Sequence, residues 1–187
     1  MKRLLTAMWI CCVAAVCSAA DRAAEVDDIR EATFRYLFEH NASGLQQNAE
    51  VYFLSVVNTE AKRPEDPSDA FMKRFADHNP RVARRSESSS SIDVGVQDKK
   101  TGESGLIFNV GEIRWISETE VEVDGGYYEA GLSSSGNTYF LKKRDGKWVV
   151  YRNVMHWISL NAPRPVGTTT RERTRIALAT AYALKWV

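Results

Sequence analysis

The sequence predicts an α+β domain: an N-terminal helix and a short second helix packed on a strongly curved antiparallel sheet of about six strands, followed by a helical tail. Three observations carry this. Residues 23–40 place Val26, Ile29, Thr33, Tyr36 and Leu37 at three- and four-residue steps, with Phe34 and Phe38 widening the stripe, which is the apolar face of an amphipathic helix. From Arg81 onward the pattern changes to short runs rich in β-branched and aromatic residues. Turn chemistry at 98–102, 133–137 and 144–147 separates those runs by links so short that neighbouring strands pair as an antiparallel meander.

Taken in order, Asn41-Ala42-Ser43-Gly44 supplies stop chemistry for the first helix, and residues 50–58 (EVYFLSVVN) read as the first strand. Residues 59–67 are polar and contain Pro64 and Pro67. Ser68 can then cap a short helix with Phe71, Met72 and Phe75 on one face, ended by Pro80. Strands are expected over 82–88, 92–97, 105–110, 112–116, 121–132, 138–143 and 147–154. Gly125-Gly126 inside one of them reads as a bulge or sharp bend. The serine run at 86–91 reads as a strand edge or loop, and the serine-rich 131–136 as hairpin turn. Residues 160–167 form a linker, and 168–187 carry Ile176, Leu178, Ala179, Ala183 and Trp186 in a helical tail with arginines at its front.

The first twenty residues set the address. Lys2 and Arg3 precede a thirteen-residue apolar run over 4–16 that ends in Ser18-Ala19-Ala20, the layout of a cleavable secretory signal with Asp21 as the first mature residue. That run spans about 20 Å as a helix, short of the roughly 30 Å a bilayer core requires, which disfavours a retained anchor. Cys17 could serve a lipoprotein signal, but the bulky Val16 before it argues against one. The domain organisation is therefore signal 1–20, one α+β domain 21–159 and tail 160–187, in an exported protein, periplasmic or secreted.

Export also empties the chain of thiols. Cys11, Cys12 and Cys17 all lie in the signal, so the mature chain holds no disulfide, thiolate metal site or cysteine nucleophile. Its 23 basic and 24 acidic residues divide unevenly, with +4 in the tail and −5 in the body. A body of that sign without a basic aromatic stripe is no nucleic-acid binder. Membrane contact falls to the signal or to the basic tail, which can dock on the acidic body or on anionic lipid.

The run YFLKKRDGKWVVYR, with Tyr139, Leu141, Asp145, Gly146, Lys147, Trp148 and Val150, after helix, strand, short helix and bent strands, resembles the cystatin-like cone of the nuclear transport factor two-like and polyketide-cyclase-like families. The resemblance covers residues 23–159. It implies a curved sheet wrapped around a helix with a pocket at the open end, a scaffold shared by small enzymes and by binding modules.

The three histidines show no ligand spacing, so neither a metal nor another cofactor is expected. His156, at the end of the last strand, and Glu129, beside Tyr127 and Tyr128, are the candidate acid/base residues. Tyr36, Tyr128 and Trp157 are the candidate ligand-binding aromatics, Tyr36 having a core role as its competing reading. His40 and His78 suit helix C-termini. Nucleophile-elbow, phosphate-loop and dinucleotide signatures are absent. Asn41-Ala42-Ser43 matches a glycosylation sequon by pattern. The leading expectation is non-enzymatic binding of a small ligand or a protein partner. The alternative is a small isomerase, dehydratase or hydrolase that pairs Glu129 with His156.

Overall fold

A computed structural model describes the backbone of residues 2–45, 48–58, 63–92, 94–131 and 133–159, and side chains from Asp21 onward. The linker and helical tail expected over 160–187 lie outside the described residues. Two helices and one large mixed sheet make an α+β fold. Among the described residues no helix is long and apolar enough to cross a membrane.

Helix α1 (Lys2–Glu39) buries the predicted stripe, with Ile29, Phe34 and Leu37 at most 1% exposed. Asn41 ends it by donating from Nδ2 to the Leu37 carbonyl and accepting the Ser43 amide on Oδ1. Near the middle of the helix, the Arg22 guanidinium lies 3.7 Å from the Trp115 ring centre and Lys143 pairs with Glu25 at 2.7 Å. Helix α2 (Asp69–Met72) is capped by Ser68, whose Oγ accepts the Phe71 amide, and a 3-10 turn at Lys73–Phe75 continues it. Phe71 and Phe75 thereby reach Phe34, with ring centres 6.0 and 6.3 Å away.

The sheet orders β2 (Arg63–Glu65), β1 (Val51–Asn58), β6 (Ser104–Trp115), β7 (Glu120–Ala130), β8 (Ser133–Arg144) and β9 (Lys147–Ser159). A side arm of β3 (Arg81–Arg84), β4 (Ser88–Ser91) and β5 (Gly95–Asp98) pairs with β1 and β6. The main core joins α1 and α2 to Leu54, Phe108, Val123, Tyr139 and Trp148 on one face. On the opposite face Val51, Phe53, Ile107 and Tyr128 meet Ala83 and Val96 of the arm.

Five features depart from expectation. The sheet is mixed, because β1 runs parallel to both β6 and β3; the long connection between β1 and β6 has room for a crossover, which a short turn lacks. Residues 105–116, expected as two strands, form most of one strand with a bulge at Gly111–Glu112 opposite Asp124. The polar stretch after β1 folds back on it as β2. Ser133, Ser134 and Ser135, expected in a turn, open β8 and pair with Ala130, Tyr128 and Tyr127 of β7. Through Gly125-Gly126, where a bulge or bend was expected, β7 stays in continuous register with β8.

Electrostatics pin the arm. Asp98 accepts from Arg81 at 2.8 Å and from the Thr101 and Lys100 amides, which together hold its carboxyl at about 2. A carboxyl depressed by folding stabilises the native state above the unfolded value near 4, and that contribution disappears as pH falls toward 2. Denaturation measured across about pH 2 to 5 is therefore expected to show a smaller acid-side loss of stability in Asp98→Asn than in the parent.

Candidate functional site

Beyond the arm, the sheet face opposite α1 opens as a trough of about 310 Å³, within the size range of small-molecule sites. Its floor is built from glycine-bearing strands, with Gly111, Gly125, Gly126 and Gly136 among the lining residues. Any side chain at 136 would run into the Trp157 indole, so glycine there lets the ring lie against the β8 backbone. Tyr128 and Trp157, expected as ligand-binding aromatics, both line this trough, as does His156.

Bulges aim the two titratable candidates differently. His156 is the extra residue between Met155, opposite Asn137, and Trp157, opposite Gly136. Glu129 is the extra residue on β7, between Tyr128 and Ala130. A bulged residue escapes strict alternation and can be turned toward a site or a neighbouring loop. Glu129 turns to a loop: its Oε2 accepts from Ser43 Oγ at 2.7 Å, Ser133 Oγ at 2.6 Å and the Gly44 amide at 3.1 Å. That carboxylate ties the chain after α1 to the β7–β8 turn and is not part of the trough lining. Glu129 and His156 are thus not brought together as an acid/base pair, because each bulge delivers its side chain to a different neighbour.

Tyr36 also lies away from the trough. Its ring packs against the main core and stacks on His40 at 4.2 Å, and Asn153 Nδ2 donates to its hydroxyl at 3.3 Å. The ring nitrogens of His40 and His78 lie within hydrogen-bond distance of the backbone oxygens of Tyr36 and Pro80.

His156 instead joins a chain of polar groups that crosses four neighbouring strands, β9 to β6. Its Nε2 is 2.8 Å from Thr138 Oγ1, which donates to Asp124 Oδ1 at 2.9 Å. Arg114 grips the same carboxylate with two bonds of 2.6 and 2.9 Å and reaches Glu122 at 3.4 Å. Burial pushes the Asp124 carboxyl up, but the bonds from Arg114 and Thr138 and the nearby His156 outweigh it and keep the carboxyl below its ordinary value. The same pairing pushes the Arg114 guanidinium up, chiefly through its hydrogen bonds to Asp124.

One further atom on the trough face has no hydrogen-bond partner among the described residues. It is Ser134 Oγ, on a residue only 1% exposed whose side chain shares the trough face with Tyr128 across the β7–β8 register. A buried polar atom left unpaired costs about 1–3 kcal/mol, so such an atom at a cavity wall points to a ligand that completes it.

The sequence alone does not single out Arg114, Asp124, Thr138 and Ser134. The β7–β8 register places Asp124 opposite Thr138 and Tyr128 opposite Ser134, but 131–136 carries turn chemistry throughout and conceals that register. Arg114 reaches the same spot only because the β6 bulge shifts its register. No protein-family model matches this chain, and no curated protein and no solved structure matches it.

Proposed function

We propose that this is an exported, non-enzymatic domain that binds a small ligand in the trough beneath Trp157. The unpartnered Ser134 Oγ in its wall, beside the exposed His156 and the Trp157 ring, carries the reading. An aromatic ring, a glycine floor and a few convergent polar groups form the usual lining of a small-molecule site. Export rests on the signal-like residues 1–20, whose removal leaves a helix beginning at Asp21 and anchored by Arg22 and Glu25. The cystatin-like cone is the frame this reading adopts, with the bulges in β6, β7 and β9 as the devices that bend such a sheet.

The test uses mature chain 21–187 and the fraction below about 1 kDa extracted from the producing cell's envelope. The parent protein is expected to gain thermal stability with that fraction and to show a bound small molecule in native mass spectrometry. Ser134→Ala is expected to be about 1 kcal/mol more stable than the parent when empty, and to gain less from the fraction. An empty Ser134→Ala variant less stable than the parent, together with no bound molecule in the parent, refutes the proposal.

A further inference from the structure

We infer that the trough takes an uncharged ligand that presents a hydroxyl or N–H group to Nδ1 of His156, which makes His156 a specificity-determining residue that releases the ligand on protonation. This rests on the ligand-binding reading above and names the chemistry of its ligand.

Counting protons fixes the orientation of the polar chain. Asp124 is ionised, so it accepts only, and Thr138 has one hydroxyl proton to give. The 2.9 Å contact from Thr138 Oγ1 to Asp124 Oδ1 uses that proton, because two acceptors would otherwise face each other. Thr138 must therefore accept from His156 Nε2 at 2.8 Å, so Nε2 carries hydrogen. In the neutral ring Nδ1 is left as a bare acceptor. The bulge at His156 leaves this side chain exposed at the trough wall rather than buried in the sheet.

The remaining wall chemistry selects the same kind of partner. Ser134 Oγ, on the same face as Tyr128, can accept or donate. No lysine or arginine lines the trough among the described residues, and its only carboxylate, Asp124, is already held by Arg114 and Thr138. The charged groups facing His156 are Asp124 on β7, through Thr138 on β8, and behind it Arg114 on β6 with Glu122. A free carboxylate or phosphate finds no cation there, and an ammonium finds no unpaired carboxylate. A neutral donor finds His156 Nδ1 and Ser134 Oγ as acceptors and a flat indole.

Mature chain labelled with nitrogen-15 is examined by long-range proton–nitrogen correlation, which reads the protonation of each ring nitrogen directly, at about pH 8 and again at about pH 5. The expected spectrum shows hydrogen on Nε2 of His156 and a bare Nδ1, and Thr138→Val is expected to lose this preference. Three probes share one ring and differ in polar group: phenol, benzoate and benzylammonium. At about pH 8 phenol is expected to shift the Nδ1 resonance and to bind at least about tenfold more tightly than the other two. Its affinity is expected to fall about tenfold at about pH 5 in the parent. His156→Gln is expected to lose that pH step. A hydrogen on Nδ1, or benzoate binding best and tightening in acid, overturns the inference. If phenol fails while the envelope fraction still binds, this inference alone falls; if both fail, the ligand-binding reading falls with it.

Discussion

Gly126→Ala is expected to lose at least about 3 kcal/mol of stability, enough to leave much of a marginally stable domain unfolded. A Cβ at 126 would be driven into the backbone carbonyl of Ser135, on the paired strand, and backbone cannot rotate away as a side-chain end can. The loss is local in cause, since it separates β7 from β8 where the trough floor lies. Urea denaturation of Gly126→Ala beside Gly102→Ala is the measurement. Position 102 has open space around it and only an unfavourable positive φ of 76°, so its expected cost is about 1 kcal/mol. Equal losses at the two positions would show that β7 and β8 do not approach so closely at Gly126.

Phe34→Ala is expected to cost about 3–5 kcal/mol. Phe34 is fully buried and its ring meets those of Phe38, Phe71 and Phe75, so truncation opens a cavity at the junction of α1, α2 and the 3-10 turn. The surrounding rings belong to three different segments and cannot all close on the gap. Tyr36→Ala, one turn face away, removes a partly buried ring stacked on exposed His40 and is expected to cost less than half as much. Thermal and chemical denaturation of both variants give the comparison, and a Phe34→Ala loss below about 1.5 kcal/mol would contradict this packing.

The elements that could be read from sequence are those whose signal is local. The stripe of α1, the Ser68 cap and the apolar run of β1 each state their own structure through period, hydrogen-bond chemistry or composition. Pairing direction is not local: nothing within Val51–Asn58 says that β6, almost fifty residues later, will lie parallel to it. The serines at 133–135 were misread because small polar residues suit a turn and equally suit a strand crowded by Tyr127, Tyr128 and Trp157, and only tertiary context decides between them. In the site, His156, Tyr128 and Trp157 stand out as residue types near a strand end. The Asp124, Thr138 and Arg114 set stands out only once the turn and the β6 bulge have fixed which residues face each other.

The parallel seam between β1 and β6 governs when this chain can fold. β1 is buried along nearly its whole length, yet its principal partner begins at Ser104, so a loop of about forty-five residues must close before the central pair exists. Contacts of such sequence separation form late and slowly. For a chain threaded through a membrane from its N-terminus, α1 and β1 would emerge with no sheet to join, and the domain would assemble only after β6 had followed them across.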